Sequence, residues 1–230
     1  MEALDESRRL LVEELRRSGI ADGRVLAAIA QVRREAFVPA DLAERAYDNV
    51  ALPIGLGQTI SQPYVVALMT EALGLTGTER VLEVGTGSGY QTALLAELAR
   101  AVISVERVPE LMVSAGRVLD ALGYANVDLH LANGTLGWPA GAPYDRIIVT
   151  AAGPEIPSVL LGQLAPEGRL VMPVGTLKAQ RLVMVRSIGD GFEETTLGGV
   201  RFVPLVGEGG WSESSLTDPA YADDGSDPPL

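Results

Sequence analysis

One stretch constrains this chain more than any other: Val81-Leu-Glu-Val-Gly-Thr-Gly-Ser-Gly-Tyr90. An apolar, β-branched run enters three glycines at alternate positions, and a helix-forming sequence follows. Glycine reaches positive φ at little steric cost and lets a backbone come close to a ligand. A strand, a tight glycine turn and a helix in this order open a parallel sheet in α/β proteins. The spacing Gly85-x-Gly87-x-Gly89 is not the G-x-G-x-x-G of dinucleotide sites, and Tyr90 stands where that pattern has its last glycine. Glu83 precedes the turn, where a carboxylate would repel a phosphate at the helix start. It would instead attract an ammonium group, directly or through water.

The rest of the chain agrees with an α/β reading. Leu4, Leu11 and Leu15 share one helical face, and Asp22 is a good N-cap for a second short helix through Val25 and Ile29. The stretch Leu52-Pro-Ile-Gly-Leu-Gly-Gln-Thr-Ile-Ser-Gln-Pro63 is too apolar for a solvated loop, and Pro63 suits the first turn of a helix over 64–73. Strands are predicted at 80–84, 101–106, 127–131, 146–150 and 169–174, with helices at 90–99, 109–122 and 156–164 between them. Right-handed crossovers then give a doubly wound parallel sheet. Residues 181–188 and 192–197 flank Gly189-Asp190-Gly191 and read as an antiparallel hairpin, and 200–206 read as one more strand. The organisation expected is N-terminal helices and a substrate-side loop over 1–79, a core over 80–206, and an acidic, disordered tail over 207–230.

Two further positions complete a ligand-binding pattern. Glu106 ends the next strand, 21 residues after Gly85. In doubly wound folds an acid near that spacing accepts hydrogen bonds from ribose hydroxyls. Ala132-Asn133-Gly134 follows the third strand, where Asn133 either meets an adenine amino group or simply forms a turn. The ligand implied is nucleoside-like with a cationic amino-acid end, and S-adenosylmethionine fits.

Composition narrows the chemistry. The chain of 230 residues has no cysteine and one histidine, His130. Disulfides, thiolate nucleophiles and zinc–thiolate sites are excluded, and a histidine-centred metal site or triad is disfavoured. A net charge of −12 argues against nucleic acid. No apolar run approaches a membrane span, and the first residues lack an apolar signal core. A cytoplasmic monomer is expected. His130, Trp138 and Trp211 read as structural residues.

The sequence resembles the protein-L-isoaspartate O-methyltransferase family over about residues 33–206. The resemblance rests on Phe37-Val-Pro39, Ala46-Tyr47, Gln58-Thr-Ile-Ser-Gln-Pro63, the 81–90 motif, Leu136-Gly-Trp-Pro139, Pro143-Tyr-Asp145 and Phe202-Val-Pro-Leu205. It implies a Rossmann-like S-adenosylmethionine-dependent methyltransferase fold, with a mostly parallel seven-stranded sheet and a C-terminal antiparallel hairpin. It implies methyl transfer to the free α-carboxylate of isoaspartyl residues in damaged proteins and peptides, starting repair through a succinimide. It places the catalytic serine at Ser61. Cofactor contacts fall on Ile60, Glu83, Gly85, Thr86, Gly87, Gly89, Glu106, Asn133, Gly134 and Gln180. The family's usual Gly-Asp-Gly is here Ala132-Asn133-Gly134, which keeps an acceptor oxygen and loses a charge.

The chemistry agrees with the composition. A carboxylate with a pKa near ~4 is already ionised, so methylating it requires no base. Exclusion of water and alignment matter more than added charge. Ser61 is expected to orient the carboxylate by a hydrogen bond; alternatively it caps the helix before Pro63. Three alternatives remain at this point: methylation of an aspartate in one dedicated peptide, a non-catalytic cofactor-binding protein, and a nicotinamide dehydrogenase that the glycine spacing disfavours.

Overall fold

The computed structural model describes residues 2–216. Helices α1 (Glu2–Arg17) and α2 (Gly23–Gln31) open the chain, followed by two 3-10 turns at Arg34–Phe37 and Ala40–Arg45. Leu11 and Leu15 are buried, as the helical spacing requires. Asp22 accepts a hydrogen bond from the Arg24 backbone N at 2.8 Å and caps α2. The 52–60 stretch folds as a small hairpin, β1 (Leu52–Gly55) and β2 (Gln58–Ile60), and α3 (Pro63–Leu73) follows with Pro63 in its first turn.

The core alternates strand and helix: β3 (Arg80–Val84), α4 (Tyr90–Leu98), β4 (Ala101–Glu106), α5 (Pro109–Leu122), β5 (Val127–Leu131), β6 (Tyr144–Val149), α6 (Ser158–Leu161) and β7 (Leu164–Gly175). Strands β8 (Gln180–Ile188) and β9 (Gly191–Val200) and a terminal turn α7 (Glu213–Leu216) complete it. Seven strands form one sheet in the order β5-β4-β3-β6-β7-β8-β9. The pairs from β5 to β7 are parallel, and β7-β8 and β8-β9 are antiparallel. The chain winds outward from β3 to β5, then crosses back to β6 on the other side of β3. The carboxyl end of β3 is therefore the topological switch point, where open α/β sheets bind ligands.

Strand residues alternate between two cores. Val81, Val102, Ile148 and Val171 pack with α2, α3 and α4 on one face, while Leu82, Ile103, Ile147 and Leu170 pack on the other. Each large aliphatic side chain so buried contributes ~1.5–3 kcal/mol. Among the described residues no helix is long and apolar enough to cross a membrane.

Three expectations are corrected. The helix expected over 156–164 is only the single turn α6, because β7 begins at Leu164 and Gln163 turns its side chain back to the Leu136 and Val159 carbonyls. The strand expected over 200–206 is absent: Val200 ends β9, and Pro204, with no N–H to donate, makes only an isolated bridge to Ala152. Residues 207–216, read as the start of a disordered tail, are folded. The Trp211 backbone N donates to the Leu205 carbonyl at 2.7 Å, and its indole Nε1 donates to the Ala152 carbonyl at 3.1 Å. That half-buried indole and the backbone bonds beside it hold what the polar composition alone would leave loose. The remaining acidic residues of the tail, 217–230, lie outside the described residues.

Candidate active site

The turn after β3 is shaped by what surrounds it. Gly85 has φ +99°, and a Cβ there would lie 2.3 Å from Thr150 Oγ1. That hydroxyl donates to the Gly85 carbonyl at 2.7 Å, so the turn is clamped to the end of β6. Gly89 is the N-cap of α4 at φ +89°, and a Cβ there would sit 3.2 Å from Ala115 on α5. The turn thus leaves the sheet tightly, and its Gly85–Ser88 backbone faces an open cavity.

Glu106 closes the opposite side. Its Oε2 accepts from the Gly87 backbone N at 2.9 Å, and its Oε1 accepts from the Arg107 and Val108 backbone N atoms at 2.8 and 2.9 Å. A carboxylate offers about four acceptor positions, so one remains for a ligand hydroxyl. Ile60, Val105, Leu111 and Leu205 give the cavity apolar walls.

Glu83 lies below this cavity and does not line it. Its Oε2 accepts from Thr92 Oγ1 at 2.5 Å and Ser104 Oγ at 2.6 Å, while its buried Oε1 has no partner. Ser104 gives its proton to Glu83, so Thr86 donates to Ser104 Oγ at 2.6 Å. Burial pushes the Glu83 carboxyl up to about 8, against the opposing hydrogen bonds from Ser104 and Thr92; the nearby Glu106 charge adds to the rise. Glu83 therefore reaches the cavity only through Ser104 and Thr86, which does line it.

Ser61 sits at the end of the hairpin, in a wall shared by this cavity and a smaller cleft. Thr59, Thr150 and Val203 belong to the same shared wall. The cleft continues along Gln62, Val65 and Phe202. The Ser61 hydroxyl has no hydrogen-bond partner among the described residues. It does not cap α3: the N-cap is Gln62, and Asn49 Oδ1 accepts from the Tyr64 backbone N instead.

The remaining expected contacts fall elsewhere. Asn133 lines a neighbouring groove with Arg107, Leu131 and Trp211, and its Oδ1 is engaged by the Thr135 backbone N and hydroxyl. Gly134 begins the 3-10 turn that this cap holds. Gln180 lies outside the cavity: it donates to the Thr176 carbonyl at 2.6 Å and accepts from the Phe202 backbone N at 2.8 Å, tying two loops together. His130 pairs with Asp128 at 2.9 Å and stacks on Trp138, on neither cavity wall. Sequence reasoning missed Thr150, whose place at the end of β6 beside the switch point was a usable signal. It also missed Leu216, which reaches the cavity wall from the folded terminal segment and had no signal.

A family profile described as protein-L-isoaspartate(D-aspartate) O-methyltransferase matches residues 6–210. The chain belongs to this family. It is an S-adenosylmethionine-dependent enzyme that methylates L-isoaspartyl residues for protein repair. It is 55% identical over 209 residues to the protein-L-isoaspartate O-methyltransferase of Dictyoglomus thermophilum, covering 91% of this chain and 95% of that one. It is 58% identical over 201 residues to that of Anaeromyxobacter dehalogenans, covering 86% and 96%. Among solved structures, a protein-L-isoaspartate O-methyltransferase superposes with a TM-score of 0.79 at 29% identity, covering 88% of this chain and 67% of that one. A Plasmodium falciparum structure described as the same enzyme, in complex with S-adenosyl-L-homocysteine, gives 0.75 at 26% identity, covering 86% and 98%.

Proposed function

We propose that the two cavities divide the reaction: the larger holds S-adenosylmethionine, the smaller receives the isoaspartyl carboxylate, and Ser61 orients that carboxylate at their common wall. The observation that carries this reading is Ser61's place in both linings with its hydroxyl uncommitted.

The residues present fit the cofactor. The glycine turn offers bare backbone, Glu106 an acceptor for ribose hydroxyls, and Ile60, Leu111 and Leu205 an apolar surround. Gly85, Thr86 and Gly87 contribute as cavity lining, while Glu83 and Gly89 support the turn from beneath and behind. Asn133 and Gly134 shape the rim at the neighbouring groove. S-adenosylmethionine, when bound, supplies a methyl group already activated by its sulfonium charge, so that a carboxylate oxygen gains the methyl as the sulfur keeps the electron pair.

This chain's own part is placement. The acceptor carboxylate is ionised at neutral pH, so no side chain has to take a proton. Ser61 Oγ donates a hydrogen bond that sets the angle of approach, and the apolar walls exclude water from the path. An isoaspartyl residue presents its free carboxylate on the α-carbon, and the cleft beside Ser61 is where that shape would be told from aspartate.

The test uses two peptides identical except for Asp or isoAsp, with cofactor labelled in the methyl group. Base-labile label is expected on the isoAsp peptide alone. Equal labelling of both, or of neither while S-adenosylhomocysteine still binds, overturns the assignment of the cleft.

A further inference from the structure

Arg34 is completely buried, in the 3-10 turn before Phe37-Val-Pro39. Its Nε donates to the Ala46 carbonyl at 2.7 Å, and its Nη2 donates to the Ser61 carbonyl at 3.0 Å. Its Cζ lies 4.8 Å from the centre of the Tyr90 ring. Its Nη1 is buried without a partner, and among the described residues no carboxylate pairs with it. Neighbouring Glu35 is committed to Arg33 and to the Tyr47 hydroxyl. Burial pulls the Arg34 guanidinium down to about 10, still charged at neutral pH.

A cation removed from water with no counter-ion is expensive to keep. An apolar side chain of similar length would fill the space without that cost. What the guanidinium adds is a clip joining two carbonyls, 12 and 27 residues along the chain, behind the serine that lines both cavities. It also places a positive charge one hydrogen bond behind that serine. The group expected in the cleft is an anion, and a low-dielectric surround lets such a charge act at a distance.

We infer that Arg34 is a positioning residue for methyl transfer, fixing Ser61 through its carbonyl and biasing the cleft toward an anionic acceptor. The inference rests on the role proposed for Ser61 and deepens it.

The test compares full-length Arg34→Lys, Arg34→Met, Ser61→Ala and the Arg34→Lys/Ser61→Ala pair. S-adenosylhomocysteine affinity is measured by calorimetry, and rates on the isoAsp peptide are taken at saturating cofactor, which also stabilises the fold. Arg34→Lys should lower kcat/KM for the peptide about tenfold to a hundredfold, as loss of a charge-assisted hydrogen bond does, with cofactor affinity within about twofold. Arg34→Met, lacking the charge as well, should fall further. In the double variant Arg34→Lys should cost nothing beyond Ser61→Ala, because both losses pass through one hydroxyl. Independent, additive losses would overturn the inference, and so would parallel losses of cofactor affinity and peptide turnover. Variants that stay unfolded at saturating S-adenosylhomocysteine would overturn it too, by assigning Arg34 to the fold. Ser61→Ala at the wild-type rate would refute the Ser61 role and the inference together. A slow Ser61→Ala beside a wild-type Arg34→Lys would refute the inference alone.

Discussion

The inner wall of the larger cavity, the one proposed for the cofactor, comes from one strand, the turn that leaves it and the end of the next strand. The outer wall gathers Ser61, Thr150, Val203 and Leu216 from four distant parts of the chain. On the inner side, backbone geometry does the positioning. Strand register sets Glu83 beside Ser104, and the Gly87 N–H meets Glu106 directly. On the outer side, side chains do it: Asn49 caps α3, and Arg34 clips the Ser61 carbonyl. A wall made of contiguous backbone should fail as a unit when one residue is changed. A wall assembled from separate side chains should lose single functions and keep the rest.

The largest effect expected is Gly85→Ala. The new Cβ meets both a left-handed φ and the Thr150 hydroxyl at 2.3 Å. Left-handed backbone costs ~1–2 kcal/mol and overpacking ~1–3 kcal/mol, so a combined loss of about 2–5 kcal/mol is expected in stability. Thermal melts with and without S-adenosylhomocysteine would show both lower stability and a smaller ligand-induced rise. A variant melting like wild type would mean that the turn is softer than its clamp implies.

Glu106→Ala comes next. Three backbone N–H groups lose their acceptor, and a ribose would lose one as well. Cofactor affinity should weaken by roughly 1–3 kcal/mol, while the peptide KM at saturating cofactor stays close to wild type. A change confined to the peptide KM would erase the division between the walls.

A smaller effect concerns Glu83. Its folded-state value of about 8 lies above the ordinary 4.5, so the folded chain holds a proton that the unfolded chain releases between those values. The stability this group contributes is therefore complete below about pH 4.5 and is lost as pH rises through about 8. Burial sets this rise; the hydrogen bonds from Ser104 and Thr92 oppose it, and the Glu106 charge adds to it. Glu83→Gln should flatten the fall in melting temperature across that window. An unchanged pH profile would show that Glu83 is ionised in the fold.

The inner wall was legible in the sequence because it is local. Strand, glycine turn, helix and the acid 21 residues on are read along the chain, and β3, β4 and β5 fall where the apolar runs predict. Ser61 was singled out through resemblance alone, since nothing in its neighbourhood marks it as more than a loop serine. The outer wall as an assembly was not legible. Arg34 lies 27 residues from the carbonyl it holds, and no periodicity announces such a pairing. The surroundings of Gln180 were illegible for a related reason: its buried amide ties the 176 and 202 loops, a use visible only once β8 and β9 are folded together. The terminal segment was misread because its composition is polar, while it is anchored by long-range contacts of Trp211, whose backbone N reaches the Leu205 carbonyl and whose indole reaches the Ala152 carbonyl.

If Ser61 serves the acceptor and not the cofactor, one substitution separates the two. Ser61→Ala should be titrated with S-adenosylhomocysteine by calorimetry and assayed in parallel on the isoAsp peptide at saturating S-adenosylmethionine. Cofactor affinity is expected within about twofold of wild type, with kcat/KM for the peptide down about tenfold or more, the loss of one oriented hydrogen bond to a charged group. Equal losses in both measurements, or a peptide rate that does not fall, would contradict it.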